Sequence, residues 1–311
     1  MKAGLCIFIL LLFSKATCQD IVVETGFTVR DFEIIENTLL YIEKRHIKNF
    51  NFKSKQRDSL INSEGFFIGG YGLRLYPFLD QDLIVTASNE LVKDRSSIRF
   101  YNVSTKSINK YHVYYTTELM DFEIAPKDSL FFLSKKDKQI AIFKYGDVPR
   151  YNKIDSLNLD SYCRKLKYHK ENLYGITDSG TIFSYNVKTK VKKRVYHGNS
   201  LLVNFTFDKQ HENMFVTTFN GDLIKVNING NAQNKTIHIG KDIIEAIAIY
   251  EDKYILTGDW NGQIKLIDIQ NLSLIKAWNN KKRIVKILSG EQCFYTSSAD
   301  RTIKKWKIDQ K

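Results

Sequence analysis

Two stretches near the end of the chain decide its fold: Tyr254-Ile-Leu-Thr-Gly-Asp-Trp-Asn-Gly-Gln-Ile-Lys-Leu-Ile-Asp-Ile269 and Cys293-Phe-Tyr-Thr-Ser-Ser-Ala-Asp-Arg-Thr-Ile-Lys-Lys-Trp-Lys-Ile308. Each is a run of alternating apolar residues, a polar turn and a second alternating run. Period-two alternation on both sides of a short turn predicts a β-hairpin.

The second half of this unit recurs backwards through the chain. An apolar residue is followed three positions later by a large one, then usually a polar residue and another apolar one. The large residues are Phe50, Tyr101, Phe143, Tyr185, Val226, Ile267 and Trp306, at spacings of 51, 42, 42, 41, 41 and 39. The first halves keep step, at Leu39–Ile42, Leu83–Thr86, Leu130–Leu133, Leu173–Ile176, Met214–Thr217, Ile255–Thr257 and Phe294–Thr296. Turns such as Asp178-Ser-Gly180, Asn220-Gly221 and Asn261-Gly262 supply residues that tolerate positive φ. Seven copies with a period near 41 predict an all-β, seven-bladed β-propeller with four strands per blade.

The repeat resembles the WD40 family. Asp300-Arg-Thr-Ile-Lys-Lys-Trp306 is similar to the second half of that motif, with a turn aspartate six residues before the tryptophan. The resemblance covers nearly all of the chain after residue 18, but the repeats are degenerate. Only the last keeps Trp, only the sixth has Asp after the large residue, and the Gly-His pair is missing; His197 comes nearest to the family's histidine. The resemblance implies that an N-terminal strand completes the last blade. The last hairpin ends at Ile308 with three residues to go, and the spare strand is the segment 21–29, ahead of a first blade starting near Phe32. Residues 21–29 are therefore expected beside 303–308, so that no sheet edge is left open. Ten or so extra residues between the first two markers are expected as a polar loop over 53–64. A long hairpin is expected over 89–95, and Gly69-Gly-Tyr-Gly72 as a tight connection between blades.

The first 18 residues read as an address: Lys2, an apolar run from Leu5 to Phe13, and small residues at Ala16 and Cys18 before Gln19. The run is too short to span a bilayer. Cleavage after Cys18 and lipidation of Cys18 are rival outcomes, with Lys15 a departure from the usual lipobox. The domain expected is then 19–311, secreted or held in a cell envelope. Its remaining cysteines, Cys163 and Cys293, fall in non-neighbouring blades and are expected as separate buried thiols.

The chain of 311 residues is 43% hydrophobic and carries a net charge of +13, of which Lys2 and Lys15 account for two. That balance favours anionic partners such as nucleic acid, acidic glycans or lipid head groups, and export argues against nucleic acid; a monomeric fold with a protein partner or an anionic surface as its ligand is expected. No HExxH, G-x-S-x-G, Walker or EF-hand pattern occurs, and no cofactor or metal site is read from the sequence. His46, His197 and His238 are expected to be structural or on the surface. Sequons stand at Asn102, Asn204, Asn234 and Asn271.

In propellers of the resembled family, the loops inside each hairpin share a face with the loops that lead into the next blade. Those positions hold Lys44, Arg45, His46, Lys93, Arg95, Lys135, Lys136, Lys138, Trp260, Lys281, Lys282, Arg283 and Arg301. They are the candidate partner-binding face. A non-catalytic binding scaffold is the function expected. An enzyme with its site in the central channel and an envelope-tethered assembly platform are the alternatives.

Overall fold

The computed structural model describes residues 19–44, 46–61, 71–78, 82–89, 96–115, 118–145, 151–230 and 232–308. They form seven four-stranded antiparallel sheets, the blades of a closed β-propeller. Blades 1 to 6 span 32–61, 71–115, 119–158, 163–197, 202–238 and 244–279; blade 7 joins 284–307 to the N-terminal strand Gln19–Glu24. Each repeating hairpin seen in the sequence is the second and third strand of one blade. No helix among the described residues is long and apolar enough to cross a membrane.

Closure follows the expected route with a shorter strand. Gln19–Glu24 pairs antiparallel with the third strand of blade 7, placing Gln19 opposite Trp306 and Glu24 opposite Thr302. Residues 25–29 leave the sheet, and Thr25 instead bonds the carbonyl of Arg301 through both its N–H and its hydroxyl, each at 2.8 Å. The loop expected over 53–64 is corrected: Arg57–Ile61 is the outer strand of blade 1. Residues 62–70 and 90–95 lie outside the described residues, and with them Gly69, Gly70 and most of the long hairpin; Tyr71 and Gly72, expected in a tight connection, instead open the inner strand of blade 2, Tyr71–Phe78.

The core is seven apolar clusters, one in each seam between blades. The marker residues supply one to each cluster: Tyr101 packs against Leu40 and Ile47 of blade 1, and Trp306 against Leu256 and Ile264 of blade 6. All seven markers are buried. Cys163 and Cys293 are separate buried thiols in blades 4 and 7.

Turn glycines bind blade tips to the connections. Gly221 has φ +82°, and a Cβ there would stand 1.7 Å from the carbonyl oxygen of Gly240, in the connection to blade 6. Only glycine meets both demands. The carbonyl of Gly221 also accepts the N–H groups of Ile239 and Gly240. Such bonds bring hairpin turns and blade-to-blade connections to one face of the disc, called here the loop face.

Candidate functional site

The loop face carries the positions singled out in the sequence. Lys44, Lys136, Lys138, Trp260, Lys281, Lys282 and Arg301 are exposed there, with His46, Lys135 and Arg283 half-buried. Arg45, Lys93 and Arg95 lie outside the described residues, as does Cys18. The face is not uniformly basic. Lys135 pairs with Asp137 at 2.7 Å, Lys136 with Glu118 at 2.9 Å and Arg283 with Glu245. Lys44 sits 3.9 Å above the Phe27 ring. The exposed lysines are spread around the rim, while Trp260 and Arg283 stand at the channel mouth.

The channel is built by the inner strand of each blade. Six of the seven inner strands carry a bulge in the same place, at Leu73, Met120, Arg164, Val203, Glu245 and Val285. A bulge re-aims one side chain out of the alternation. Here all six, with Arg30 from the segment leading into blade 1, line one mouth cavity of about 420 Å³. Trp260 stands over it, 45% exposed. Its indole N–H donates to Glu245 at 2.9 Å, and the Arg283 guanidinium lies 4.8 Å from its ring centre. Phe219, also 45% exposed, lines the same mouth.

The residue after each of the six bulges, and Asp31 just ahead of the unbulged inner strand of blade 1, occupy one equivalent position around the ring. In blade order these residues are Asp31, Arg74, Asp121, Lys165, Asn204, Ala246 and Lys286. Lys286 bonds Asp31 at 2.5 Å and Glu33 at 2.6 Å, and Asp31 accepts the N–H of Leu75 at 2.6 Å. Arg74 makes a two-pronged pair with Asp121 at 2.7 and 3.0 Å, and Asp121 accepts the N–H of Leu166 at 2.8 Å. Asn204 donates to the Glu245 carbonyl at 2.8 Å. From Lys286 round to Lys165 the charges alternate through five blades. Strict alternation cannot close in a ring of seven, and the neutral Asn204 and Ala246 stand where two like charges would otherwise meet.

Burial works against the charged forms of both Asp121 and Lys286. It works to raise Asp121, but the Arg74 guanidinium and the Lys165 ammonium outweigh it and keep the carboxyl below its usual range. Burial works against the Lys286 ammonium, and Asp31 and Glu33 more than offset it. Two residues further along the strand, Glu123 accepts from the Tyr76 hydroxyl at 2.8 Å and from the Tyr168 N–H at 3.2 Å. Burial still pushes its carboxyl up to about 7.

Glu123 therefore carries a pH signature. An unfolded glutamate releases its proton near 4.5, whereas in the fold Glu123 holds it to about 7. Between these values the native state binds the extra proton, so this group's contribution to stability falls as pH rises. Glu123→Gln removes that dependence. In urea titrations its stability relative to wild type should grow from about pH 5 to about pH 8. A difference that stays flat over this range would mean that Glu123 ionises in the fold as an ordinary carboxylate.

The inner-strand charges were missed in the sequence, although a signal existed. Leu73-Arg-Leu-Tyr76 and Met120-Asp-Phe-Glu-Ile124 place charges inside apolar alternation, in step with the repeat. The expected roles of two histidines agree with their contacts: His197 meets the Thr181 hydroxyl at 3.0 Å and His238 meets Asp222 at 2.9 Å, both toward the surface. Asn204, one of the four sequons, faces the channel and is bonded within it.

No family model matches the chain, and no curated protein matches it either. Among solved structures 1755 chains match, so the shape itself selects no activity. One is the crystal structure of the computationally designed Ika8 protein, 14% identical at a TM-score of 0.68, covering 92% of this chain and 98% of that one. At that identity the likeness shows the fold alone. The fold is a β-propeller.

Proposed function

We propose that the chain is an exported, WD40-like propeller that acts as a non-catalytic binding scaffold, docking a protein or anionic partner on its loop face. The observation that carries this reading is the Trp260 platform. A large aromatic side chain is held half in water at a channel mouth, fixed by Glu245 through its N–H and by Arg283 across its ring. Rigid aromatic and arginine side chains at the centre of a face are what binding hot spots are made of. The exposed lysines around it add a field that draws in acidic surfaces. The carboxylates of the channel support a scaffold over an enzyme, because each is already engaged. Lys286 holds Asp31 and Glu33, Arg74 holds Asp121, and Tyr76 holds Glu123.

Charge reversal tests the reading. Lys281, Lys282 and Arg283 replaced together by Glu should cut retention on sulfated-glycan beads several-fold at low salt and leave the fold intact. A variant changed only at Lys281 and Lys282 separates the rim charge from the Arg283–Glu245 pair. The control is Lys188 and Lys190, which stand in a turn on the opposite face, together with Lys192 on the adjoining outer strand. Equal losses in control and test would mean diffuse charge and no docking face.

A further inference from the structure

We infer that the channel holds a small amphipathic anion at the seam between blades 4 and 5, its anionic oxygens on Lys165 and Lys167 and its apolar body along Ile247, Ile249 and Leu288. This site lies inside the channel and does not depend on the docking face.

The inference starts from the stitching pattern of the inner strands. Lys286 reaches blade 1, Asp31 blade 2, Arg74 blade 3, Asp121 blade 4 and Asn204 blade 6, and each finds a partner there. Lys165 shares its cavity with Asn204 and Thr206 of blade 5, both neutral, and with Asp31, Glu33 and Glu123, which Lys286 and Tyr76 already engage. Its ion pair is with Asp121 of the preceding blade, at a long 3.7 Å. The ammonium of Lys167, two residues on, makes no hydrogen bond or ion pair among the described residues. Both lysines line a cavity of about 480 Å³. Burial depresses both ammonium groups; the like charge of Arg74 adds to this at Lys165, while Glu123 opposes it at Lys167.

Holding two cations half out of water with a single long ion pair between them is unfavourable unless a further anion joins them. Everywhere else in the alternating run the protein supplies that anion itself. The same cavity continues past Ile247, Ile249 and Leu288, which are only partly covered by protein. Its volume is that of an ordinary small-molecule site, and apolar walls with a few converging charges are the usual make-up of one. The ligand chemistry is an anionic oxygen group, carboxylate or phosphate, on a hydrocarbon or aryl body.

Calorimetric titration of the full chain tests this with octanoate and phenyl phosphate, and with acetate, inorganic phosphate and octanol as comparators. Saturable one-to-one binding of octanoate, phenyl phosphate or both is expected; which of them binds identifies the head group. The comparators should bind at least tenfold more weakly. Lys165→Met with Lys167→Met should weaken binding at least tenfold, and so should Thr206→Glu, which supplies the missing carboxylate from blade 5. Should the double variant fail to fold, Lys167→Met and Thr206→Glu decide the matter separately. No saturable binding by either amphipathic anion would overturn the inference, as would binding unchanged in these variants or octanol binding as well as octanoate.

Discussion

Trp306→Ala should lower the unfolding free energy by about 3–5 kcal/mol, the range for truncating a large aromatic in a packed core. The side chain is 3% exposed and stacks on Phe294, ring centres 5.9 Å apart and 3° from parallel. It fills the seam between blades 6 and 7, where no neighbouring strand can collapse into the void without breaking its own ladder. Its indole N–H donates to the buried hydroxyl of Thr296 at 2.8 Å. Trp306→Phe should therefore cost less than the alanine but more than its lost area alone, because that hydroxyl loses its partner. Guanidinium titration gives both numbers. A transition unmoved by Trp306→Ala would show that this seam does not hold the ring together.

Asp121→Ala should cost a similar amount, about 3–5 kcal/mol, although it removes only a small side chain. The loss comes from what stays behind: the Arg74 guanidinium and the Lys165 ammonium without their carboxylate, and the Leu166 N–H without its acceptor. This origin can be separated from loss of packing. If unpaired charge is the cause, adding Arg74→Met to Asp121→Leu should restore part of the stability lost in Asp121→Leu alone. Contacting residues are expected to depart from additivity in this way. A double variant less stable than either single change would mean that the pair matters through its shape.

The sequence revealed the parts of each blade that alternate cleanly. The second and third strands, such as Met214–Thr217 with Leu223–Val226, are buried on both sides of a Gly turn, so their register is written in apolar residues. Outer strands carry much less of this. Val191–His197 is a blade strand of four exposed residues followed by two half-buried ones, and Arg57–Ile61 looked like part of a basic loop for the same reason. The inner strands were legible as strands, but not as a site. Whether Arg74 or Asp121 meets water or an opposite charge depends on the neighbouring blade, some 40 residues away. The bulges that turn Arg164 and Glu245 into the mouth leave no mark in the alternation. Trp260 stood out as an aromatic at a turn, whereas its partner Glu245 did not.

The strand Gln19–Glu24 gives the molecule an order of assembly. Six blades can form from neighbouring chain as it is made, each from hairpins of local range. The seventh cannot, because its outer strand precedes all the other strands in the chain and its partner, Thr302–Lys307, follows them. Bringing Glu24 to Thr302 closes a loop that costs about 5 kcal/mol in chain entropy on logarithmic scaling. Until then Val23, Phe32 and Phe50 wait without Tyr295 and Ile303, the residues that will cover them. A nascent chain is therefore an open arc with one bare apolar seam. It becomes a ring only when Gln19–Glu24 meets Thr302–Lys307.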